Sequence, residues 1–205
     1  MMLAALLLVT QVAVQDPRLE RLDPDTRSAV AAVADSARGV GLPVEPIIQR
    51  ALEGATKGAP GPRIVAAVRK LAADLGTART ALGTDGSEAE LQAAVAALRA
   101  GATPQVIAHL RDVRRPPLTM ALSVLADLVA SGVPADSAAA AVLALAPKAR
   151  DADLVEFRRA VERDIALGAP PGAATSVRLN AGALDVSGRN TTTGNPNSPT
   201  RRARP

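Results

Sequence analysis

Apolar residues recur along this chain at the three- and four-residue spacing of a helix face, and no stretch alternates as a half-buried strand does. Asp23-Pro24 reads as a helix start, a capping residue followed by a first-turn proline, with Val30, Val33 and Ala37 on one face up to Gly39. Val44, Ile47, Ile48 and Leu52 predict a short helix closing at Gly54. Ile64, Val65, Val68, Leu71 and Leu75 predict a longer one, interrupted at Gly76 and resuming to Leu82. Ser87 and Glu90 form a capping-box signature ahead of Leu91, Val95 and Leu98. Thr103-Pro104 opens a short helix carrying Val106, Ile107 and Leu110, which breaks before Pro116-Pro117. Residues 118–130 are apolar on nearly every side, so this helix is expected at the centre of the fold. An alanine-rich helix from Pro134 to Ala146 follows, then one capped by Asp151 with Leu154, Phe157, Val161 and Ile165 as its buried stripe. Gly168 ends it, and a last short helix holds Val177 and Leu179.

The links between these helices look alike. Gly41-Leu42-Pro43, Gly58-Ala59-Pro60, Gly101-Ala102-Thr103-Pro104, Gly132-Val133-Pro134 and Gly168-Ala169-Pro170 each pair a glycine with a nearby proline. Glycine takes the left-handed conformation that ends one helix, and proline starts the next. Links so short force neighbouring helices to fold back on each other. The expected fold class is therefore all-α: stacked short helical hairpins, as an irregular α-solenoid-like array or a compact helical bundle.

Both chain ends differ from this body. Residues 1–15, MMLAALLLVTQVAVQ, are uncharged and mostly apolar. A run this short cannot span about 30 Å of hydrocarbon, but it has the length of a signal-peptide core. It is read as a signal peptide, which predicts a periplasmic or secreted protein without a transmembrane span. Residues 180–205 are rich in Gly, Asn, Thr, Ser and Pro and have little apolar periodicity, so they are read as a disordered basic tail. One all-helical domain of about nine helices, residues 16–179, lies between.

Composition sharpens the picture without changing it. Of 205 residues about a fifth are alanine, and Trp, Tyr and Cys are absent, with Phe157 the sole aromatic. Alanine is the best helix former, so valine and leucine must do most of the burying. The formal charge is +4. Residues 15–179 nevertheless carry 20 Lys and Arg against 19 Asp and Glu, so the basic excess sits in the tail. The stretch Gly101–Gly132, with Thr103-Pro104-Gln105-Val106-Ile107-Ala108, resembles in its turn chemistry a single unit of the helical repeats of TAL-effector DNA-binding proteins. The loop Arg111–Pro117 lacks the glycine-framed base-reading pair of those repeats, and no residue is carried over.

Little in the chain can carry chemistry. There is no thiol, and His109 is the single histidine, which excludes a histidine metal cluster. The glycines of GATKGAPG (54–61) lack the Gly-Lys-Ser/Thr of a phosphate-binding loop, and Asp151 and Asp153 read as helix-start residues rather than calcium ligands. Two features stand out. Arg111, Arg114 and Arg115 form a small basic loop that reads as a solvated loop paired with Asp112, or as one that could hold a carboxylate or phosphate. Thr119, Ser123 and Asp127 make a narrow polar line along the most apolar helix, which reads as its solvent edge or, with Asp127 buried, as the mark of a partner or site. These residues predict interaction, not catalysis: no enzyme, no cofactor and no metal. The expected function is a protein-binding or scaffolding module. The alternative is a binder of nucleic acid or anionic surfaces through Arg111, Arg114, Arg115 and the tail.

Overall fold

The computed structural model describes residues 16–189, with side chains to residue 181, and both the signal-like segment 1–15 and residues 190–205 lie outside it. A 3-10 turn, Pro17–Arg21, precedes nine α-helices among the described residues. They are α1 (Pro24–Gly39), α2 (Glu45–Thr56), α3 (Gly61–Leu82), α4 (Glu88–Ala100), α5 (Pro104–Val113), α6 (Thr119–Ala130), α7 (Ala135–Leu145), α8 (Asp151–Ala166) and α9 (Pro171–Arg189). The described chain contains no strand, and the fold is all-α.

Side chains start the helices as their spacing predicts. The Asp23 carboxylate accepts from the Thr26 N–H at 2.9 Å. Glu90 accepts from the Ser87 N–H at 2.9 Å while its own N–H donates to the Ser87 hydroxyl at 3.2 Å, closing the capping box. In α8 the cap differs from the expected one. Arg150 is the N-cap, and Asp153 accepts from its N–H at 2.9 Å. Asp151 lies inside the first turn and serves another partner.

The five glycine–proline links share one geometry. Gly41, Gly58, Gly101, Gly132 and Gly168 all have positive φ, from 66° to 114°. In each, the glycine N–H donates three residues back and the next N–H donates five residues back, as from Val133 to the Leu128 carbonyl at 3.0 Å. That is the paired-bond arrangement in which a left-handed residue satisfies the last carbonyls of a helix. Gly54 and Gly76 are different. Neither ends a helix: α2 passes through Gly54 to Thr56, and α3 runs unbroken through Gly76 to Leu82. Gly54 is where α3 approaches α2, since a Cβ there would lie 2.8 Å from Cγ1 of Ile64.

Contacts gather into two compact units, Met1–Leu91 and Gln92–Pro205, with the boundary inside α4. In the first, α3 packs on both α1 and α2, and the 3-10 turn packs on α1 and α2. Val30, Ile47, Val68 and Leu75 are fully buried there. In the second unit α5 packs on α7 and α7 on α9, while α6 packs on α7 and α8 and α8 on α9. Leu122, Leu125 and Leu128 of α6 are fully buried, as expected for the most apolar helix. Residues 180–189, assigned to the tail on composition, continue α9 to Arg189. No proline interrupts them, and Ala181, Ala183 and Leu184 favour the helix. Within α9 it is Ala174 and Thr175 that are buried, whereas Val177 is exposed.

Candidate interaction surfaces

The basic loop does not act as one group. Arg114, in the extended residue that ends α5, turns its guanidinium inward, and its side chain is only 12% exposed. It donates to the carbonyls of Ala146 at 2.9 Å and Ala149 at 2.6 Å, beyond the end of α7, and to the Asp151 carboxylate at the start of α8. The fork therefore satisfies carbonyls left over by one helix and holds an acid at the positive end of the next. Arg114 is a bracket within the second unit, its guanidinium taken up by these three acceptors. Arg111 is partly exposed and bonded to Asp112 at 3.2 Å, and Arg115 is exposed. Sequence proximity placed three cations together, and the fold separates one from the other two.

The polar line on α6 is its solvent edge. Thr119 and Ser123 are half-buried, and the Asp127 carboxylate is 51% exposed. Asp127 lies 3.5 Å from Arg158 of α8, which also pairs with Glu162 at 2.9 Å. An ion pair this open contributes little and marks no buried carboxylate in search of a substrate. His109 is exposed on α5. Among the described residues no group of histidine or carboxylate side chains is placed to hold a metal ion, and no helix is long and apolar enough to cross a membrane.

The surface that the spacing rule missed lies in the first unit. Helix α1 has two apolar faces. Val30, Ala34 and Ala37 are buried in the core, while Ala29, Ala32, Val33 and Ser36, with Val40 just past the helix end, lie at i, i+3, i+4, i+7 and i+11 along a flanking stripe that Ala37 borders. That second stripe, with Leu42 and with Arg69 and Ala72 of α3, lines an open groove of about 400 Å³. Its walls are mostly methyl groups. Val40 is 70% exposed at one end, an unusual position for a valine in a chain with so few large apolar residues to spare. Ser36 and Arg69 are its polar members, and both are exposed. The signal was present in the run from Ala29 to Ala34, which is apolar all round. Small side chains do not declare which face is buried, so the spacing groups Val33 with Val30 and Ala37, whereas Val33 is half-buried on the groove.

At the entrance to this unit, Arg18 forms a fork to Glu45. Its Nη1 and Nη2 donate to Oε1 and Oε2, each at 2.8 Å. The same guanidinium bonds Asp16, so the first described residues are tied to the start of α2. Arg18 holds the Glu45 carboxyl at a pKa of about 2, below its ordinary value of 4.5, with Gln49 adding a second hydrogen bond. Comparison with protein-family models, with curated proteins and with solved structures finds no match to this chain.

Proposed function

We propose that this chain is an exported, non-catalytic protein-binding module whose α1/α3 groove receives one helix of a partner protein. The observation that carries the reading is the second stripe on α1. Five positions at helical spacing present small side chains beside α3, a shape into which another helix can lay an apolar face. Alanine walls admit large partner side chains at close range. Arg69 has no ion pair among the described residues and lies on the groove, so the partner helix should carry a carboxylate opposite it. The run of apolar residues 1–15 supports export, and the packing of α5 on α7, α7 on α9 and α6 on α8 supports a helical-repeat-like second unit. The lack of thiols and the lone, exposed His109 support a role without turnover. Binding of nucleic acid or anionic surfaces needs a cluster of free cations, and Arg114 is engaged within the fold.

The test uses protein purified from the producing cell and a synthetic 15-residue helical peptide with leucines at i, i+3, i+4 and i+7 and one glutamate. Calorimetry should give a Kd of roughly 1–100 μM. Ala32→Glu, at an exposed helix position, should weaken it at least tenfold with folding intact. A scrambled peptide that binds equally, or indifference to Ala32→Glu, overturns the reading. Reproducible turnover that is lost on changing His109 or Asp127, with the fold preserved, overturns its non-catalytic part.

A further inference from the structure

We infer that the partner helix lies in the α1/α3 groove antiparallel to both helices, with its N-terminal end at Val40 and Leu42 and its C-terminal end at Ala29. The inference rests on the groove being the binding face and adds the partner's direction to it. That direction follows first from how the unit is wound. The starts of α1 and α3 touch, because a Cβ at Gly61, the first residue of α3, would meet the Thr26 side chain in the first turn of α1. Arg69 and Ala72 stand about 12 and 16 Å along α3 from that contact, and the same rises from Thr26 end near Ala34 and Ala37 on α1. Arg69 and Ala72 line the groove together with Val33, Ser36 and Ala37, so α1 and α3 run parallel. Opposite directions from a shared start would carry Arg69 away from Val40 instead. Helix α2 runs against both, since Gly54 in its last turn meets Ile64 in the first turn of α3. None of the residues lining the groove belongs to α2, which packs on α1 and α3 elsewhere. The parallel pair thus has one antiparallel helix already and a second groove open.

Electrostatics then selects the sense of the occupant. Both helix starts, the positive ends of their dipoles, lie at the Ala29 end of the groove. That of α1 is answered by Asp23, which caps it, and by Asp25 in its first turn. Helix α3 begins with no side-chain cap and no acid in its first turn, and carries the exposed Arg63 there. This end is short of negative charge, and the last carbonyls of an antiparallel helix supply it. A parallel occupant would bring a third set of N–H groups to the same place. At the other end α1 stops at Gly39 while α3 continues to Leu82, so the N–H end of an antiparallel occupant faces the carbonyl end of α1. The glutamate that meets Arg69 is reached in either sense, because Arg69 stands near the middle of the groove. Direction is therefore set by the two ends and not by that contact.

The test observes the alanine, valine and leucine methyl groups of the protein by NMR while the leucine–glutamate peptide binds. The peptide is acetylated and amidated, so that its terminal charges do not bias the result, and carries one nitroxide at either its first or its last residue. The label at the first residue should broaden Val40 and Leu42 and spare Ala29 and Ala32, and the label at the last residue should do the reverse. At low salt the antiparallel form should dominate by about tenfold. The opposite pattern, or equal broadening of both ends by either label, overturns the inference and leaves the groove as the binding face. Broadening confined to residues away from the groove, or no binding of the peptide, overturns the groove as the binding face and the direction with it.

Discussion

Two glycines in α3 illustrate how one residue type serves opposite ends. A Cβ added at Gly61 would lie 2.0 Å from the Thr26 hydroxyl oxygen and 3.3 Å from its Cβ, and Thr26 is buried beside the Asp23 cap. Gly61→Ala should cost about 1–3 kcal/mol, because the cap of α1 must move to admit a methyl group. Gly76 sits mid-helix with open space where its Cβ would be. Gly76→Ala should stabilise by about 0.5–1 kcal/mol through the unfolded chain's lost freedom. Thermal unfolding of both variants checks the signs, and a destabilised Gly76→Ala would mean that α3 needs flexibility there. Charge gives a residue-scale expectation too. Glu45 is held at a pKa of about 2 by Arg18 and Gln49, below its ordinary 4.5. The unfolded chain binds that proton first as pH falls. The pair's contribution is thus complete above about pH 4.5 and is lost on going down toward pH 2. Glu45→Gln should flatten the acid limb of the melting temperature between these values. An unchanged limb would show that the Arg18–Glu45 fork does not persist in solution.

Among whole elements, local signals were the legible ones. The glycine–proline links succeed because a helix end is decided within six residues: a left-handed glycine, its two backbone bonds, and a proline to begin again. Capping at Asp23, Ser87 and Thr103 is equally local. What the sequence concealed is non-local or made of small residues. Arg114 reads as a surface cation until the chain brings Ala146 and Ala149 to it from more than thirty residues away. The groove on α1 is built of alanines, which suit a buried or an exposed face equally. The end of α9 was hidden because Gly, Asn and Ser in 180–189 lower helix propensity without forbidding it. For α6, whose uniform hydrophobicity did mark it as central, the consequence is quantitative. Leu125 has no exposed surface, so Leu125→Ala should cost about 2–5 kcal/mol through lost burial and a residual cavity. Thr119→Ala, half-buried on the solvent edge, should stay within about 0.5 kcal/mol. Chemical denaturation of the pair tests this, and similar costs for both would mean that the edge is not solvated.

For the whole molecule the division at Leu91/Gln92 makes a stronger claim than either unit's packing alone. A chain with one aromatic residue and so much alanine has little apolar volume for each helix, and units of this size bury only about 60–70% of their unfolded surface. Each unit is then marginal, and the backbone amides should report whether it opens by itself. Leu125→Ala removes core from the second unit, and Gly61→Ala disturbs the first. If the units are separate cooperative bodies, hydrogen exchange in Leu125→Ala should accelerate across residues 92–181 and leave protection in 16–91 unchanged, with Gly61→Ala showing the reverse. Uniform acceleration in either variant would instead make residues 16–189 one cooperative body, divided in its contacts but not in its energetics. The distinction bears on function, because the α1/α3 groove and the Arg114 bracket belong to different units. Separate opening would let a partner helix stabilise the first unit on binding while the protection of Arg114's neighbours in the second stays where it was.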